Sequence, residues 1–385
     1  MQFELTQEQA MYQRAVRDFC EGEIKPYAAQ ADQTGELRWE AIRKMPQLGL
    51  TGLQVPEVYG GAGLDAISVV IALEEVGRAC GSTGLSLAAH NGLCCAPITK
   101  WGTEAQKSKY LPRLTSGEVL GSLALTEPQA GSDLNNGVQT FAIKQGEDWI
   151  INGNKAWITN PKFASVIVTL CRDGQIGKNF NMILVEPGTA GLEIHAPEKK
   201  MGLKASPTQM LTYENVHVPL ANVLGVEGRG FHQTMEVLDG GRIGIGALSI
   251  GLAQAAFEEA VNYAKQREAF GQKIANFQAI QWMIADAALE IDAARLLVMR
   301  AAWLKDAGKP FTKEAAMGKL MASEVAERVC FNAIQIHGSY GYSAEFPVER
   351  FYRDQRLMTI GEGTSQVQRM VIARHVLDGK HGTDH

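Results

Sequence analysis

Apolar residues recur at helical spacing through most of the first 120 positions, with Thr6 placed as an N-cap and further helices expected over 68–78 and 104–111. Pro56 and the run Tyr59-Gly60-Gly61-Ala62-Gly63 break that pattern. Near Gly121 the texture changes. From there to about Pro219 short runs favour β structure, at 138–144, 149–151, 164–170, 182–185 and 210–213. Asn152-Gly153, between 149–151 and 156–158, signals a tight turn. Helical periodicity returns near Gly230 and predicts helices over 231–266, 278–305, 312–336 and 364–378. In the second of these Ile280, Ile284, Ala287, Ile291, Ala294 and Val298 make one apolar stripe. Ser365 and Gln368 fit a capping box at the start of the last. Helices, then strands, then helices predict an α+β chain, mainly α, rather than a doubly wound sheet. The expected domains are 1–120, 121–230 and 231–385.

Composition narrows function more than fold. The 385 residues are 45% hydrophobic and 21% charged, and 37 Lys plus Arg stand against 42 Asp plus Glu. A net charge of −5 leaves no footprint for nucleic acid or an anionic membrane. No apolar run approaches bilayer length. The first residues include Glu4, Glu8, Arg14, Arg17 and Asp18 without an apolar core, so neither a secretory signal nor a transit peptide is expected. A soluble protein of the cytoplasm is the expectation. Cysteines at 20, 80, 94, 95, 171 and 330 form no CxxC pair, which predicts reduced thiols. Cys94-Cys95 reads as core packing. The eight histidines show no metal-ligand spacing, so no metal site is expected.

Glu362 is the most informative candidate for chemistry, a lone carboxylate with a glycine on each side just before a helix start. Glycine lets backbone and ligand approach closely. A carboxylate held where water is excluded has its pKa raised toward that of a general base. The plain alternative is an acid that complements a helix dipole. Leu123 to Asp133 runs from a strand end into a loop rich in hydroxyls and backbone donors, suited to a planar heterocycle with a phosphate-bearing tail. An ordinary turn with an Asp cap is its alternative. Trp157, Ile158 and Thr159 place an aromatic beside a hydroxyl, or else a buried Trp with a satisfied Thr. Arg267 and Gln278 would suit a pyrophosphate and a ribose, although Arg267 alone also reads as a solvated helix end. The glycines of 240–246 miss the GxGxxG spacing and follow no strand, so they are not a dinucleotide fingerprint.

In order along the chain stand LTEPQAGSD, WIT, LDGGRIGIGA, QREAFGQ, QIHGSYGY and GEGTSQVQR. Together these strings resemble the acyl-CoA dehydrogenase family, over essentially the whole chain from Phe3 to Leu377. The resemblance implies a helical N-terminal domain, a β-barrel-like middle domain and a C-terminal four-helix bundle, with FAD held between them. It implies flavin contacts from Leu123, Leu125, Thr126, Gly131 and Ser132, and from Trp157, Ile158 and Thr159. Arg267, Gln278, Gln335, Ile336, His337, Gly338 and Ser339 would hold the adenine half, largely across a subunit boundary. Thr364, Ser365 and Gln366 would also touch FAD. Asp239, Gly240, Gly241 and Arg242 would bind the acyl-CoA, with Ser132 at its CoA portion and Gly363 against the substrate.

Glu362 matches the family's base. By resemblance it takes the α-proton of a thioester while hydride leaves the β-carbon for flavin N5, giving a trans-2-enoyl-CoA. The base's own backbone N–H and a ribityl hydroxyl would steady the thioester oxygen. Some members carry the base on the helix of Leu238 to Arg242, where this chain has Gly240, Gly241 and no carboxylate but Asp239. The implied activity is dehydrogenation of a short or branched acyl-CoA by a homotetramer, with electrons passed to an electron-transfer flavoprotein. Two positions depart from the family pattern. Gly361 stands where an aromatic often precedes the base, and Ser339 occupies a usual glycine position beside His337, itself read as a packed histidine and not a ligand. The alternatives are a flavin oxidase or monooxygenase on the same scaffold, a non-redox relative such as a desulfinase, and a non-enzymatic helical scaffold. The non-redox relatives lack the base, so Glu362 argues against them.

Overall fold

The structure is a computed structural model describing residues 4–379; Phe3, where the resemblance begins, and residues 380–385 lie outside it. Helix α1 (Gln7–Glu23) opens at Thr6, whose side chain accepts from Gln9 N while Gln9 returns a bond to the Thr6 N–H. Short helices α2 (Ala28–Thr34) and α3 (Trp39–Lys44) follow, then α4 (Ala66–Ala79) and α5 (Gly81–Ala88). Helix α5 runs into a π-helical turn, Ala89–Cys95, before α6 (Ala96–Trp101) and α7 (Glu104–Thr115). π turns widen a helix locally and are frequent at functional sites.

Among the described residues seven strands form the middle sheet: β1 (Leu120–Ala124), β2 (Phe141–Gln145), β3 (Asp148–Thr159), β4 (Ala164–Asp173), β5 (Phe180–Val185), β6 (Leu192–Pro197) and β7 (Thr208–Pro219). Their order is β1-β4-β2-β3-β7-β6, with β5 also on β4. A one-turn helix, α8 (Leu134–Gly137), sits in the loop after β1 and is capped by Asp133. The turn expected at Asn152-Gly153 is absent, because β3 is one continuous strand. Gly153 instead lets β3 pass close to β2's approach, since a Cβ there would lie 2.4 Å from Thr140 Oγ1. The β3–β7 register shifts at this point. The chain actually reverses at Gly146, between β2 and β3, with φ +62°.

The C-terminal part holds α9 (Gly230–Gln266), α10 (Gln278–Asp306), α11 (Thr312–His337), α12 (Val348–Gln355) and α13 (Ser365–Leu377). Helix α9 is buried on nearly every side from Gly241 to Ala256, which its alanines and glycines permit. At Gly251 a Cβ would lie 2.2 Å from the Glu74 carbonyl oxygen, so α4 and α9 touch backbone to backbone. Of the predicted α10 stripe, Ala287, Ile291, Ala294 and Val298 are buried. Helix α13 is capped by Thr364, which accepts from Val367 N, and not by Ser365. Gln368 is drawn instead to the carbonyls of Glu362 and Gly363. No described helix is long and apolar enough to cross a membrane.

Candidate active site

Glu362 lies in the short link between a 3-10 turn, Arg356–Thr359, and α13. Its own backbone is left-handed, φ +51°, and Gly363 follows at φ +92°. A non-glycine residue there costs about 1–3 kcal/mol, a strain that persists only where the surroundings impose it. Three side chains impose it. Lys319 of α11 donates to the Gly363 carbonyl at 2.8 Å. Gln368 donates to the Glu362 and Gly363 carbonyls at 3.2 and 2.9 Å. Thr364 closes the turn with its cap. The bend aims the carboxylate at α9, and a Cβ on Gly241 would lie only 2.1 Å from Glu362 Oε2. That oxygen is sealed from solvent and has no hydrogen-bond partner among the described residues. Burial raises the carboxyl pKa to about 7, against the opposing pull of Lys319 and Arg242. A buried, unpartnered carboxylate with its pKa near neutrality has the chemistry a general base needs.

On the Gly241 side of Glu362, which does not itself line it, a cavity of about 620 Å³ runs along α9 past Asp239, Gly240, Gly241 and Gly244. Val69 and Leu73 of α4 and Asn91 and Gly92 of the π turn form its opposite wall. This volume is in the range of small-ligand sites. Asp239 accepts from Thr312 Oγ1 at 2.5 Å and pairs with Arg242 Nη1 at 2.5 Å. Burial raises the Asp239 pKa, and Arg242 draws it back. Arg242 Nε is buried without a partner among the described residues. The π turn is anchored by His90, whose Nδ1 accepts from Gly121 N at 2.9 Å and whose Nε2 therefore donates to Thr51 O at 2.7 Å. Burial lowers the His90 pKa to about 4, so it is a neutral strut between β1 and the cavity wall.

The loop after β1 is held against β3. Ala156 N donates to Thr126 O at 2.8 Å, and Ser122 Oγ to Thr159 O at 2.6 Å. These bonds bring Leu123 to Thr126 alongside Trp157 to Thr159. Beneath them lies an ion pair that sequence reading missed: Lys155 Nζ and Glu127 Oε1, 2.9 Å apart and both sealed from water. Lys155 also donates to Leu125 O, and Glu127 accepts from the N–H groups of Gln139 and Thr140. Lys155 sits at an inward position of β3, and a lysine in that phase of a strand was the available signal. Leu123, Leu125 and Ile158 turn their side chains into the core and can offer a ligand only backbone. Gly131 and Ser132 are exposed. Trp157 is not the buried tryptophan of the plain reading: it is 60% exposed, on a left-handed backbone with φ +61°.

Arg267 follows the end of α9, with its guanidinium 5.9 Å from the Tyr340 ring centre. This brings it to the segment Gln335 to Ser339 at the end of α11. Gln278 opens α10 after the ribbon of 268–273. Arg267, Gln278, Gln335, Gly338 and Ser339 are exposed, while Ile336 and His337 are buried. His337 donates from Nδ1 to Ala333 O at 2.8 Å and stacks on Tyr263, as a packed histidine. None of these residues lines the cavity. Thr364, Ser365 and Gln366 border a second depression with Arg328, Arg356 and Arg369. There Ser365 Oγ is buried and unpartnered among the described residues. An open indole on a strained backbone, flanking hydroxyls, and a helix N-terminus with basic neighbours fit the ring and the phosphates of FAD.

Comparison with known proteins agrees. Three family models match in order: acyl-CoA dehydrogenase N-terminal domain at residues 6–118, middle domain at 122–216 and C-terminal domain at 228–377. A probable acyl-CoA dehydrogenase, YngJ of Bacillus subtilis, is 53% identical over 380 residues, which is 98% of this chain and 100% of that protein. Among solved structures, butyryl-CoA dehydrogenase from Megasphaera elsdenii superposes with a TM-score of 0.94 at 42% identity, covering 98% of this chain and 100% of that one. A chain from the structure of the electron transferring flavoprotein of Acidaminococcus fermentans gives 0.95 at 42% identity, with the same coverage. With a helical front, a sheet in the middle, a helical rear and matches along nearly its whole length, this chain belongs to the acyl-CoA dehydrogenase family of FAD-dependent oxidoreductases.

Proposed function

We propose that the chain dehydrogenates a short or branched acyl-CoA thioester between its α- and β-carbons, with Glu362 as the base. The observation that carries this reading is the sealed, unpartnered Oε2 of Glu362 lying against Gly241 at the cavity wall. Glu362 removes the α-proton, and its backbone N–H is the donor for the thioester oxygen as charge develops. Asp239 and Arg242 hold the CoA arm, and Gly240 and Gly241 let the thioester lie close to α9. Bound FAD supplies the acceptor for the hydride that leaves the β-carbon, at flavin N5, so the product is a trans-2-enoyl-CoA. The loop from Leu123 to Ser132 with Trp157 and Thr159 orients that ring, and Thr364 to Gln366 steady its tail.

A short or branched acyl group is favoured by the modest cavity and by Gly361. Gly361 carries no side chain where other members often have an aromatic, and a Cβ there would rest on Leu357 at 3.6 Å. The butyryl-CoA dehydrogenase neighbour agrees with this class. Electrons would pass to an electron-transfer flavoprotein, in keeping with the neighbour from such a structure. A homotetramer is supported by an exposed apolar stripe on α10, where Trp282, Leu289, Leu296 and Trp303 recur every seventh residue. The exposed Arg267, Gln278 and Gln335 would then meet the adenine half of FAD bound in a neighbouring subunit.

Glu362→Gln tests the base, since it keeps shape without basicity. The variant should hold FAD while flavin bleaching by butyryl-CoA under anaerobic conditions falls at least 1,000-fold, about 4 kcal/mol of barrier. Near wild-type bleaching by the variant would overturn the assignment.

A further inference from the structure

Lys319 is buried in the middle of α11 and is among the largest side chains in the molecule with no exposure at all. A lysine is rarely left there without a task, because its ammonium loses water and must find partners. Its hydrogen bond goes to the Gly363 carbonyl, the peptide next to the base, at 2.8 Å. Gly318, just before it, packs against Val298 of α10, so the lysine's helix is held close and its stem has little freedom. We propose that Lys319 is the positioning residue of the catalytic carboxylate: its ammonium pins the left-handed Glu362-Gly363 turn and supplies the nearby positive charge that keeps Glu362 ionised near neutral pH. This rests on Glu362 being the base.

The charged groups around the carboxylate are few. Arg242 of α9 faces it together with Lys319, and Arg242 is itself tied to Asp239. Glu324 acts on Lys319 from one turn further along α11. Burial lowers the Lys319 pKa to about 8, with Glu362 working to raise it. The two groups therefore titrate as a coupled pair. The sign is fixed. Without the ammonium the Glu362 carboxyl holds its proton to higher pH, so less base is present at pH 7. Gln368 serves the same turn through the Gly363 carbonyl it shares with Lys319 and that of Glu362, but carries no charge, which separates positioning from tuning.

The test compares Lys319→Gln, which removes the charge and keeps an amide donor one bond shorter, with Gln368→Leu, each in the FAD-loaded protein. Two readouts are followed against pH: anaerobic flavin reduction by butyryl-CoA, and the infrared band of the protonated carboxyl that Glu362→Gln removes. Wild type should show a midpoint near 7 in both. In Lys319→Gln both midpoints should rise by about one pH unit or more, with the rate recovering at high pH. In Gln368→Leu the rate should fall with the midpoint in place. A Lys319→Gln midpoint that stays put, or a rate loss equal at every pH, would show the lysine to be a packing residue and overturn the proposal. A midpoint that moves in Gln368→Leu would also overturn it, and does so even if Lys319→Gln does not fold. If no thioester bleaches wild type, the proposed function fails, while the infrared midpoints still judge Lys319.

Discussion

Gly241→Ala places a methyl where the carboxylate of Glu362 now lies. The added Cβ would stand 2.1 Å from Oε2, 3.0 Å from Cδ and 3.1 Å from Leu93 Cδ2. Ordinary contact begins at 3.4 Å, so the oxygen must withdraw by at least 1.3 Å. The obstruction is the tip of a flexible side chain and not backbone, so the fold need not shift. Alanine also favours helix over glycine by about 1 kcal/mol. Stability should therefore hold or rise while catalysis falls, two effects of opposite sign from one methyl. A misplacement of about 1 Å in a reacting group costs about 100-fold, or about 2.7 kcal/mol of barrier. The assay is single-turnover anaerobic reduction of the flavin by butyryl-CoA, alongside thermal unfolding. Gly240→Ala is the neighbouring comparison: its Cβ would meet only Lys305 Nζ at 3.8 Å, and its loss should stay well below that of Gly241→Ala. Shortening the base in the Gly241→Ala background, by Glu362→Asp, should cost less than the two changes separately, as coupled sites do. A Gly241→Ala protein that reduces its flavin at nearly the wild-type rate would refute the placement of the carboxylate.

The buried Lys155–Glu127 pair under the loop after β1 makes a second prediction. Lys155→Met leaves Glu127 charged and unpaired in the interior, which costs about 3–5 kcal/mol, and the loop it supports should release FAD. Thermal unfolding and the ratio of flavin to protein absorbance after dialysis measure both; full FAD occupancy with an unchanged midpoint would count against the pair's role. Adding Glu127→Leu should restore part of the stability, since no charge is then stranded. On α10, Leu296→Glu puts a carboxylate into the exposed apolar stripe without touching the core, and light scattering should show the assembly falling to a smaller species. An unchanged mass would place the interface elsewhere.

The long helices were legible because their apolar spacing survives packing, and α9 to α11 match their expected spans to within a residue or two. Strand β6 was not, and β1 was marked only by its end at Leu123. β1 is five buried residues interrupted by Gly121 and Ser122, and β6 is a half-exposed edge, so neither shows the two-residue alternation. Asn152-Gly153 misled for a different reason. The turn chemistry was present, but pairing of β3 with β7 on both sides of Gly153 outweighs a local preference for reversal. Glu362 could be picked out by its glycine neighbours, yet the strained residue is Glu362 itself, and no single sequence shows that. Lys319 was invisible as a functional residue because it stands in an ordinary helix, and Lys155 showed only as a lysine at an inward strand position. Only the packing of other segments over them makes the charge buried and consequential.

The 2.1 Å separation makes a glycine at 241 a condition for the placement of the Glu362 carboxylate. The space beside the cavity can be entered from the α13 link, by Glu362, or from α9, by a side chain at 241. Both routes end at the same point, and two groups cannot share it. A carboxylate from α9 would approach on a regular helix without strain. The α13 route needs a left-handed residue, and this chain accordingly surrounds it with Lys319, Gln368 and the Thr364 cap. In return Glu362 hangs from a link rather than a rigid helix, and Gly361 before it packs on Leu357. The choice of route thus decides which element must carry the strain, and here it is the link before α13.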